Sequence, residues 1–514
     1  MNLPENRNSY GQILKSTTLI GGSQVISILL GIVRTKVLAV LLGPIGIGLL
    51  GVYNSLTQVI ISISGLGVGS SAVREVAAAS KTGDQVKISR TIFTLRRISL
   101  FLGILGGLTT ILLSGFLSRL SFGSKNYKIN IAALSVTICF AIVTAGQTAL
   151  LQGLRRISNV ATLNVLGSLF GTICSLPMVY FWGQDGIVPF LITVAGMNLL
   201  TSWWFARKVP ILNLQMKSVE IIEEGRGLIY LGLAFMGSGL VSQGAAYIIR
   251  IILLRQLGLD GVGLYQAAFN LSSIYIGVIL SAMGLDYYPR LTAVSDNNHA
   301  CNQLINQQTE VGLLVAAPGI IATLSFAPFI LEVFYSAKFI AAYGILRWSI
   351  LGIFLRVVSW PLGYLILAKG RAMLFFITEL AANVMHLILI WIATKMFGLN
   401  GTGIAFFGLY VFYTIMTFAV GYKLSGFLWS ARNLFLIVII SVSFGLSIVL
   451  SVYLSQMSSL ISGAIFTGVI AICCFRRLYG LVGREWFSVL LIKLKERFFR
   501  TQQVRDKNDM ENKM

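Results

Sequence analysis

The sequence predicts an all-α polytopic membrane protein with about 14 transmembrane helices, and three observations support this fold class. Only 11% of the residues are charged, whereas a soluble domain carries about 25%. Hydrophobic residues make up 56% of the chain, and the mean hydropathy is +0.82. Apolar runs of about 20 residues are continuous, whereas a lipid-facing barrel strand would alternate. These observations exclude a cytosolic globular enzyme, a secreted disulfide scaffold and a disordered chain.

The predicted spans follow one another with short connections along the chain. The last two form a hairpin over 432–475, and its second arm is the shortest apolar run of the set. In chain order the predicted spans are 14–42, 45–71, 91–117, 129–152, 158–182, 186–206, 228–257, 262–287, 308–334, 341–367, 373–397, 402–424, 432–454 and 459–475.

The net charge of +22 suggests nucleic-acid binding, but the distribution of the basic residues argues against it. Lys and Arg occur singly or in pairs at the ends of apolar runs rather than on one soluble face. They are more numerous on the side of the membrane that holds the N-terminus, and an even number of spans returns the chain to that side. The positive-inside rule therefore predicts that both termini are cytoplasmic. We expect no nucleic-acid partner.

The sequence contains no recognisable catalytic or metal-binding motif. Most of the five cysteines lie within apolar runs and none forms a C-x-x-C pair, so neither a disulfide framework nor a metal site is predicted. No nucleotide-binding loop or nucleophile–base pair is recognisable, and we predict a protein without enzymatic activity and without a cofactor. The polar N-terminus predicts that the first apolar run remains as a span rather than being cleaved as a signal peptide.

An internal repeat divides the chain into two similar halves. GPIGIGLLGVYNSL begins at Gly43, and GLDGVGLYQAAFNL begins at Gly258 with the same G-x-x-G-x-G frame. Two shorter matches follow in the same order, so six helices recur as six, and both halves cross the membrane in the same sense. Such parallel repeats enclose a cavity near the membrane midplane. The predicted parts are an N-terminal lobe (1–215), a C-terminal lobe (216–427), an extra hairpin (428–480) and a basic amphipathic cytoplasmic tail (481–514).

At these residues the chain resembles a known family. GSQVISILLGIVRTKVLAVLLGPIGIGLLGVYNSL (22–56) and REVAAASKTGD (74–84) resemble the opening of Wzx-type O-antigen translocases. These translocases belong to the polysaccharide-transport branch of the multidrug/oligosaccharidyl-lipid/polysaccharide exporter superfamily. The hairpin over 432–475 and the basic tail depart from the family pattern, since many members of this branch have twelve spans.

The resemblance implies a two-lobed, V-shaped flippase in the bacterial inner membrane. Its substrate would be an undecaprenyl-diphosphate-linked oligosaccharide, an O-antigen or related repeat unit, carried from the cytoplasmic to the periplasmic leaflet. The implied partners are this lipid-linked oligosaccharide, membrane lipids and other polysaccharide-assembly proteins.

Basic residues within the spans are the candidate substrate-binding groups, because charges in hydrocarbon are costly and should face a wet cavity. Arg34 and Arg250 lie at matching depth in the two repeats, about 12–13 Å inside the helix end, and a guanidinium can hold two diphosphate oxygens. For Lys36 and Arg255, nearer the mouth, snorkelling to the headgroups is favoured over substrate binding. Arg356 lies mid-span, where substrate binding and an ion pair with a neighbouring helix are equally good interpretations.

Glu379, Asn383 and His386 form a second candidate site, since their spacing stacks them on one helical face. A carboxylate and an imidazole inside a bundle could form an ion-coupling site. A structural stripe of hydrogen bonds, with Arg356 as the ion partner, is the slightly favoured alternative. Glu310 is one of several acids predicted to lie at helix ends near the membrane interface.

Uncharged polar residues are frequent within the spans. Their number suits a hydrated, sugar-binding lumen, although hydrogen bonding between helices explains any one of them equally well. They are Gln24, Asn54, Gln58, Gln147, Asn164, Asn198, Gln243 and Asn270.

Two other functions are weaker interpretations. A multidrug exporter of the same superfamily would need a more anionic site for cationic drugs. A membrane polysaccharide polymerase or ligase would need a large periplasmic loop, and every predicted loop on that side is short. In the segment 485–500, apolar residues recur at helical spacing and form one stripe, with basic residues on either side of it. This pattern predicts an interfacial helix on the anionic cytoplasmic leaflet.

Overall fold

The computed structural model describes residues 4–212, 216–453 and 456–482, and every regular element within these ranges is helical. The predicted fold class, an all-α polytopic membrane protein, is confirmed. The predicted interfacial helix over 485–500 lies outside the described residues. The α-helices are α1 Pro4–Ser64, α2 Val68–Lys81, α3 Gln85–Phe122, α4 Lys128–Gly153, α5 Ile157–Trp182, α6 Ile187–Ala206, α7 Ser218–Ala293, α8 Asn298–Ser325, α9 Ala327–Phe334, α10 Tyr343–Ala368, α11 Ala372–Phe397, α12 Gly401–Ser425, α13 Ala431–Tyr453 and α14 Gln456–Val482.

Most predicted spans coincide with helices or with parts of long bent helices. The first span and most of the second fall on α1, but the second extends beyond Ser64 into the start of α2. The seventh and eighth fall on α7, and the ninth covers the end of α8 and all of α9. Within the described ranges, nine helical stretches are long and apolar enough to cross a membrane, and several of these contain two consecutive predicted spans. The number fourteen therefore stays a prediction.

The two repeats bend at the same position of their glycine motifs. Gly43 interrupts α1 with φ 65° and ψ −169°, and Gly258 interrupts α7 with φ 71° and ψ −178°. A positive φ is readily adopted only by glycine, so each motif begins with the residue that the break requires. Each long helix therefore consists of two apolar segments, as the repeat predicts.

The motif of the first repeat and that of the second contact each other in reciprocal pairs. A Cβ atom on Gly48 would collide with the carbonyl oxygen of Leu259, and one on Gly263 would collide with that of Pro44. Gly48 and Gly263 occupy equivalent positions of the two motifs, as do Pro44 and Leu259. The contact therefore has approximate two-fold symmetry, and it needs glycine on both sides because the backbones touch directly.

The chain forms two compact units. The first contains residues up to Leu271 together with Pro328–Ser349 and Phe376–Leu409. The second contains Ser272–Ala327, Ile350–Phe375 and the described residues from Tyr410 onward. The predicted division into lobes 1–215 and 216–427, hairpin 428–480 and tail 481–514 stays a prediction.

Each unit has its own apolar core. In the first, buried side chains of α2, α3 and α4 pack together, among them Ile92, Leu95 and Ile138. In the second, Tyr287 and Phe427 pack with aliphatic residues of α8 and α10, and the Tyr287 hydroxyl donates to the carbonyl of Pro361 at 3.0 Å. These cores fix the helices that carry the polar residues described below.

In the second compact unit, a polar face of α8 holds the hairpin of α13 and α14. Glu310 Oε1 accepts hydrogen bonds from Arg477 Nε and Nη2, both at 3.2 Å, and Arg432 Nη1 lies 3.7 Å from Oε2. One turn earlier, Asn306 Oδ1 accepts from the side-chain amide of Asn433 at 2.9 Å. These contacts attach both arms of the hairpin to one helix.

The prediction that Glu310 lies at a helix end is wrong, whereas its position near the membrane interface stays a prediction. Glu310 lies within α8 rather than at a helix end, because α8 begins at Asn298, well before the predicted span. Its side chain is only 10% exposed. Burial is tolerated because two guanidinium groups neutralise the carboxylate.

Candidate substrate-binding cavities

Arginines from the two repeats line one cavity of about 280 Å³ in the first compact unit. Arg34 comes from α1 before its break at Gly43, and Arg250 comes from α7 before its break at Gly258. Both arginines are half-buried. The remaining lining is uncharged and consists of aliphatic, glycine, threonine and amide side chains with one phenylalanine. The cavity therefore carries two positive charges and no negative one.

Arg250 is held in place by neutral partners. Its Nη2 and Nε donate to Gln266 Oε1 at 2.7 and 3.2 Å, and its Nη1 donates to the carbonyl of Ala246 at 2.8 Å. Gln266 Nε2 donates in turn to Asn270 Oδ1 at 2.8 Å, and Asn270 Nδ2 donates to the Tyr335 hydroxyl at 3.4 Å. This series of hydrogen bonds orients the guanidinium of Arg250 without neutralising its charge.

The two arginines lack an acidic partner in the part of the chain that the structure describes. The three ion pairs found there, with nitrogen and oxygen within 4.0 Å, involve neither Arg34 nor Arg250. Positive charge inside a membrane bundle is costly, and it is usually balanced by an acid, by backbone carbonyls or by a ligand. Arg250 has one such carbonyl, that of Ala246, but neither arginine has a carboxylate partner among the described residues. An anion that entered this cavity would therefore supply the negative charge that its lining lacks.

Gln266 and Tyr335 are the residues that sequence reasoning missed. Gln266 holds, in the second motif, the position that Gly51 holds in the first, and a Cβ on Gly51 would lie 3.1 Å from Gln266 Oε1. The spacing of Gln266 and Asn270, one helical turn apart, was the available signal. Nothing local in the sequence connects Tyr335 to this chain of hydrogen bonds.

Lys36 and Arg255 contact backbone carbonyls instead of the cavity. Lys36 Nζ donates to the carbonyl of Glu332 at 2.7 Å, and Arg255 Nη2 donates to that of Leu120 at 3.0 Å. Neither residue belongs to the lining of the 280 Å³ cavity. These contacts fit an anchoring role near helix ends, and a substrate-binding role for Lys36 stays a prediction.

Arg356 lies within α10 in the second compact unit and is half-buried. Among the described residues, no carboxylate lies within 4.0 Å of its guanidinium. The choice between substrate binding and an ion pair therefore stays open.

Glu379, Asn383 and His386 share one face of α11, as the spacing predicts. Asn383 Nδ2 donates to the backbone carbonyl of Glu379 at 2.8 Å. His386 is buried, with its ring centroid 6.0 Å from that of Phe406, and its Nε2 has no hydrogen-bond partner among the described residues. An ion-coupling role for the three residues stays a prediction.

A larger cavity, of about 770 Å³, lies in the same compact unit. The structure brings four of the predicted intramembrane amides together in its lining: Asn54, Gln58, Asn164 and Asn198. Asn54 lines the arginine cavity as well, so the two cavities adjoin at this side chain.

Comparison with known proteins agrees with the sequence-based resemblance. A family model described as polysaccharide biosynthesis protein matches residues 13–295. The lipid III flippase of Escherichia coli strain K12 is 23% identical over 409 residues, which cover 78% of this chain and 96% of the relative. The family match and this relative confirm the predicted resemblance.

Solved structures of two transporters share the fold. The lipid II flippase MurJ, in an inward closed conformation, has a TM-score of 0.68 at 13% identity and covers 90% of this chain and 99% of its own. An inward-facing multidrug resistance MATE family transporter has a TM-score of 0.67 at 18% identity, with coverage of 78% and 95%. At these identities the likeness concerns the fold alone.

Proposed function

Because the chain belongs to the polysaccharide biosynthesis protein family, we propose that it is a flippase for an undecaprenyl-diphosphate-linked oligosaccharide. The substrate moves from the cytoplasmic to the periplasmic leaflet by alternating access. The arginine cavity is the observation that carries this proposal, since it holds Arg34 and Arg250 and no acidic side chain. The lipid III flippase relative supports the same substrate class.

The chemistry of such a substrate matches the cavity. The diphosphate and its sugars cannot cross hydrocarbon, whereas the polyprenyl tail can remain in lipid. In our proposal the Arg34 and Arg250 guanidinium groups bind diphosphate oxygens, and Gln266 keeps Arg250 oriented through its 2.7 Å hydrogen bond. The proposed transport breaks no covalent bond. The protein instead stabilises the charged diphosphate while it moves across the membrane.

A multidrug exporter is the second candidate, because a MATE family transporter shares the fold. A site for cationic drugs would need negative charge, and the arginine cavity offers the opposite. Lipid-linked oligosaccharide transport therefore remains the better conclusion.

Coupling and orientation are further parts of the proposal. We propose that Glu379, Asn383 and His386 bind the coupling ion or proton, and that Arg356 and Lys36 contact the substrate at another stage of the cycle. The protein would reside in the bacterial inner membrane with both termini cytoplasmic. It would act beside other polysaccharide-assembly proteins.

The orientation can be tested with single cysteines on a background without native cysteines. Lys81, at the end of α2, and Asn126, between α3 and α4, are both exposed. A membrane-impermeant thiol reagent applied from the periplasm should label a cysteine at 126 and spare one at 81. The reverse labelling would overturn the proposed orientation.

The function is tested by deleting the gene in its host, in a strain without a redundant flippase. We expect surface polysaccharide to disappear and lipid-linked repeat units to accumulate, with both effects reversed by the intact gene. Normal surface polysaccharide without accumulated lipid-linked units would contradict the proposal.

A further inference from the structure

Two segments of the first compact unit bring basic and aromatic side chains together on one surface. One is the turn between α4 and α5, and the other is the end of α6 with the residues that follow it. Arg156 Nη1 donates to the carbonyl of Lys208 at 3.4 Å and so joins the two segments. Each segment follows an even number of predicted spans, so both lie on the side that is predicted to be cytoplasmic. We call this surface the interface patch, and its residues are Arg155, Arg156, Trp203, Trp204, Arg207 and Lys208.

The two tryptophans of the interface patch are exposed and lie against a cation. Trp203 and Trp204 are each 48% exposed, although an indole is a large apolar group. The guanidinium carbon of Arg207 lies 4.8 Å from the ring centroid of Trp203 and 3.8 Å from that of Trp204. Indoles with an adjacent cation are typical of the headgroup region of a membrane, where the ring contacts acyl chains and the charge contacts phosphates. A ligand at this surface would meet apolar area and positive charge together.

The positive charges of the interface patch have no acidic partner in the part of the chain that the structure covers. The three ion pairs found there involve none of its residues. Neutral groups orient the cations instead, because Arg156 donates to a backbone carbonyl and Arg207 lies against two indoles. Its four basic side chains are exposed or half-buried. The charge of the patch is therefore available to an external anion.

The backbone of Arg155 adopts a conformation that the equivalent turn of the second repeat assigns to glycine. The turns after α4 and after α10 have the same hydrogen bonds, since Arg155 and Gly370 each donate to the third carbonyl before them, and Arg156 and Arg371 to the fifth. Such a helix ending requires a positive φ, which is 54° at Arg155 and 70° at Gly370. A residue with a Cβ is strained there, whereas glycine is not. The first repeat therefore accepts a strained backbone and holds a guanidinium where the second repeat has no side chain.

We propose that the interface patch binds an anionic phospholipid of the cytoplasmic leaflet. The basic side chains surround the headgroup phosphate, and the indoles contact the glycerol and acyl region. Basic clusters at this membrane surface attract lipids with a net negative charge, such as phosphatidylglycerol. The exposed indoles favour a lipid over an acidic protein, because only a lipid supplies acyl chains beside the phosphate. The inference uses neither the arginine cavity nor the proposed substrate, so it is independent of the proposed function.

The test titrates the full-length protein, purified in detergent, with phosphatidylglycerol or with phosphatidylcholine, and native mass spectrometry resolves the successive bound lipids. We expect the first phosphatidylglycerol to bind at least about tenfold more tightly than the first phosphatidylcholine, because the choline ammonium offsets the phosphate charge. Glycerol 3-phosphate has the anion without acyl chains and should not displace the lipid at equal concentration. Equal affinity for the two lipids, or displacement by glycerol 3-phosphate, would overturn the inference.

Arg155→Gly separates the charge of this residue from its role in the turn. It gives the first turn the residue found in the second, so the midpoint of thermal unfolding should stay the same or rise. Combined with Arg207→Gln, it should weaken binding of the first phosphatidylglycerol at least about tenfold and leave that of phosphatidylcholine unchanged. Arg155→Lys keeps the charge and should keep most of the affinity.

A matched control removes two basic residues from the same predicted side of the membrane but outside the interface patch. Arg371 and Lys423 are exposed, and the Arg371→Gln, Lys423→Gln variant should leave both lipid affinities unchanged. An equal loss in this control would show an effect of net charge and overturn the assignment to the patch. Unchanged lipid affinity in the Arg155→Gly, Arg207→Gln variant would also overturn it and would leave an acidic protein as the partner of this surface.

Discussion

Two groups of arginines in this protein differ in what balances their charge. Arg432 and Arg477, in the second compact unit, share the carboxylate of Glu310. Arg34 and Arg250, in the first, line a cavity whose remaining groups are uncharged. The first group is satisfied within the protein, whereas the second retains charge for a ligand.

The environments explain why each arrangement is tolerated. Arg432 and Arg477 are 57% and 43% exposed and can be partly hydrated while they neutralise a buried carboxylate. Arg250 instead relies on Gln266 and a backbone carbonyl, which orient a guanidinium but do not cancel its charge. An arginine held by neutral partners in a membrane cavity is therefore a better candidate for anion binding than an arginine with an acidic partner.

The largest expected effect comes from removing the cavity charges. Arg34→Ala and Arg250→Ala should each abolish transport while the amount of protein in the membrane stays near normal, because neither guanidinium has a carboxylate to leave unpaired in the described structure. Arg432→Ala serves as the control and should retain transport. Surface polysaccharide and membrane protein level, measured together, check this expectation. A parallel loss of protein in the cavity variants would indicate a structural role.

Gln266→Glu gives Arg250, in the cavity, an acidic partner like the one that Arg432 and Arg477 share. The new carboxylate would lie about 3 Å from the Arg250 guanidinium and neutralise it, so transport should fall at least about tenfold without loss of folded protein. Gln266→Met removes the orienting hydrogen bond but keeps the charge, and it should cost less. Transport that is equal in the Glu variant and the wild type would show that the charge of Arg250 is not needed.

Lysine at the cavity positions should restore transport only in part. Arg34→Lys and Arg250→Lys keep the charge, but an ammonium cannot hold two diphosphate oxygens in one plane. We expect a several-fold loss of transport in rate measurements with the purified protein in liposomes. Snorkelling makes the opposite prediction, since lysine and arginine reach the interface equally well, and full activity of both variants would favour it.

Glu310→Gln should affect stability rather than transport. It removes the shared carboxylate and should lower the free energy of unfolding by about 1–2 kcal/mol, less than for a fully buried pair because both arginines remain half-hydrated. Asp286→Asn, which disrupts the exposed pair with Arg290, should cost less than about 0.5 kcal/mol. Thermal unfolding in detergent compares the two. Greater stability in the Gln variant would contradict this account of the hairpin contact.

The fold was largely predictable because its signals are local. Continuous apolar runs define helices in a bilayer, and the motifs that begin at Gly43 and Gly258 place a break in each long helix. The reciprocal contacts of Gly48 and Gly263 were not predicted, since the sequence shows a repeat but not how its copies meet.

The site was predictable only as a set of residue types. The cost of intramembrane charge singled out Arg34 and Arg250 from the sequence alone. Gln266 lies beside Arg250 because the break at Gly258 brings two segments of α7 together. No local sequence pattern predicts that these two side chains are in contact. Glu310 was assigned to a helix end because the apolar run begins near residue 308, whereas α8 begins at Asn298.

If the unbalanced arginines bind the diphosphate of the substrate, the purified protein should bind undecaprenyl diphosphate through them. The affinity for this lipid is therefore the decisive measurement. We compare the wild type with the Arg34→Ala, Arg250→Ala double variant and with the matched Arg432→Ala, Arg477→Ala variant. We expect the cavity variant to bind at least about tenfold more weakly and the hairpin variant to bind like the wild type. Equal affinity of the cavity variant and the wild type would contradict this expectation.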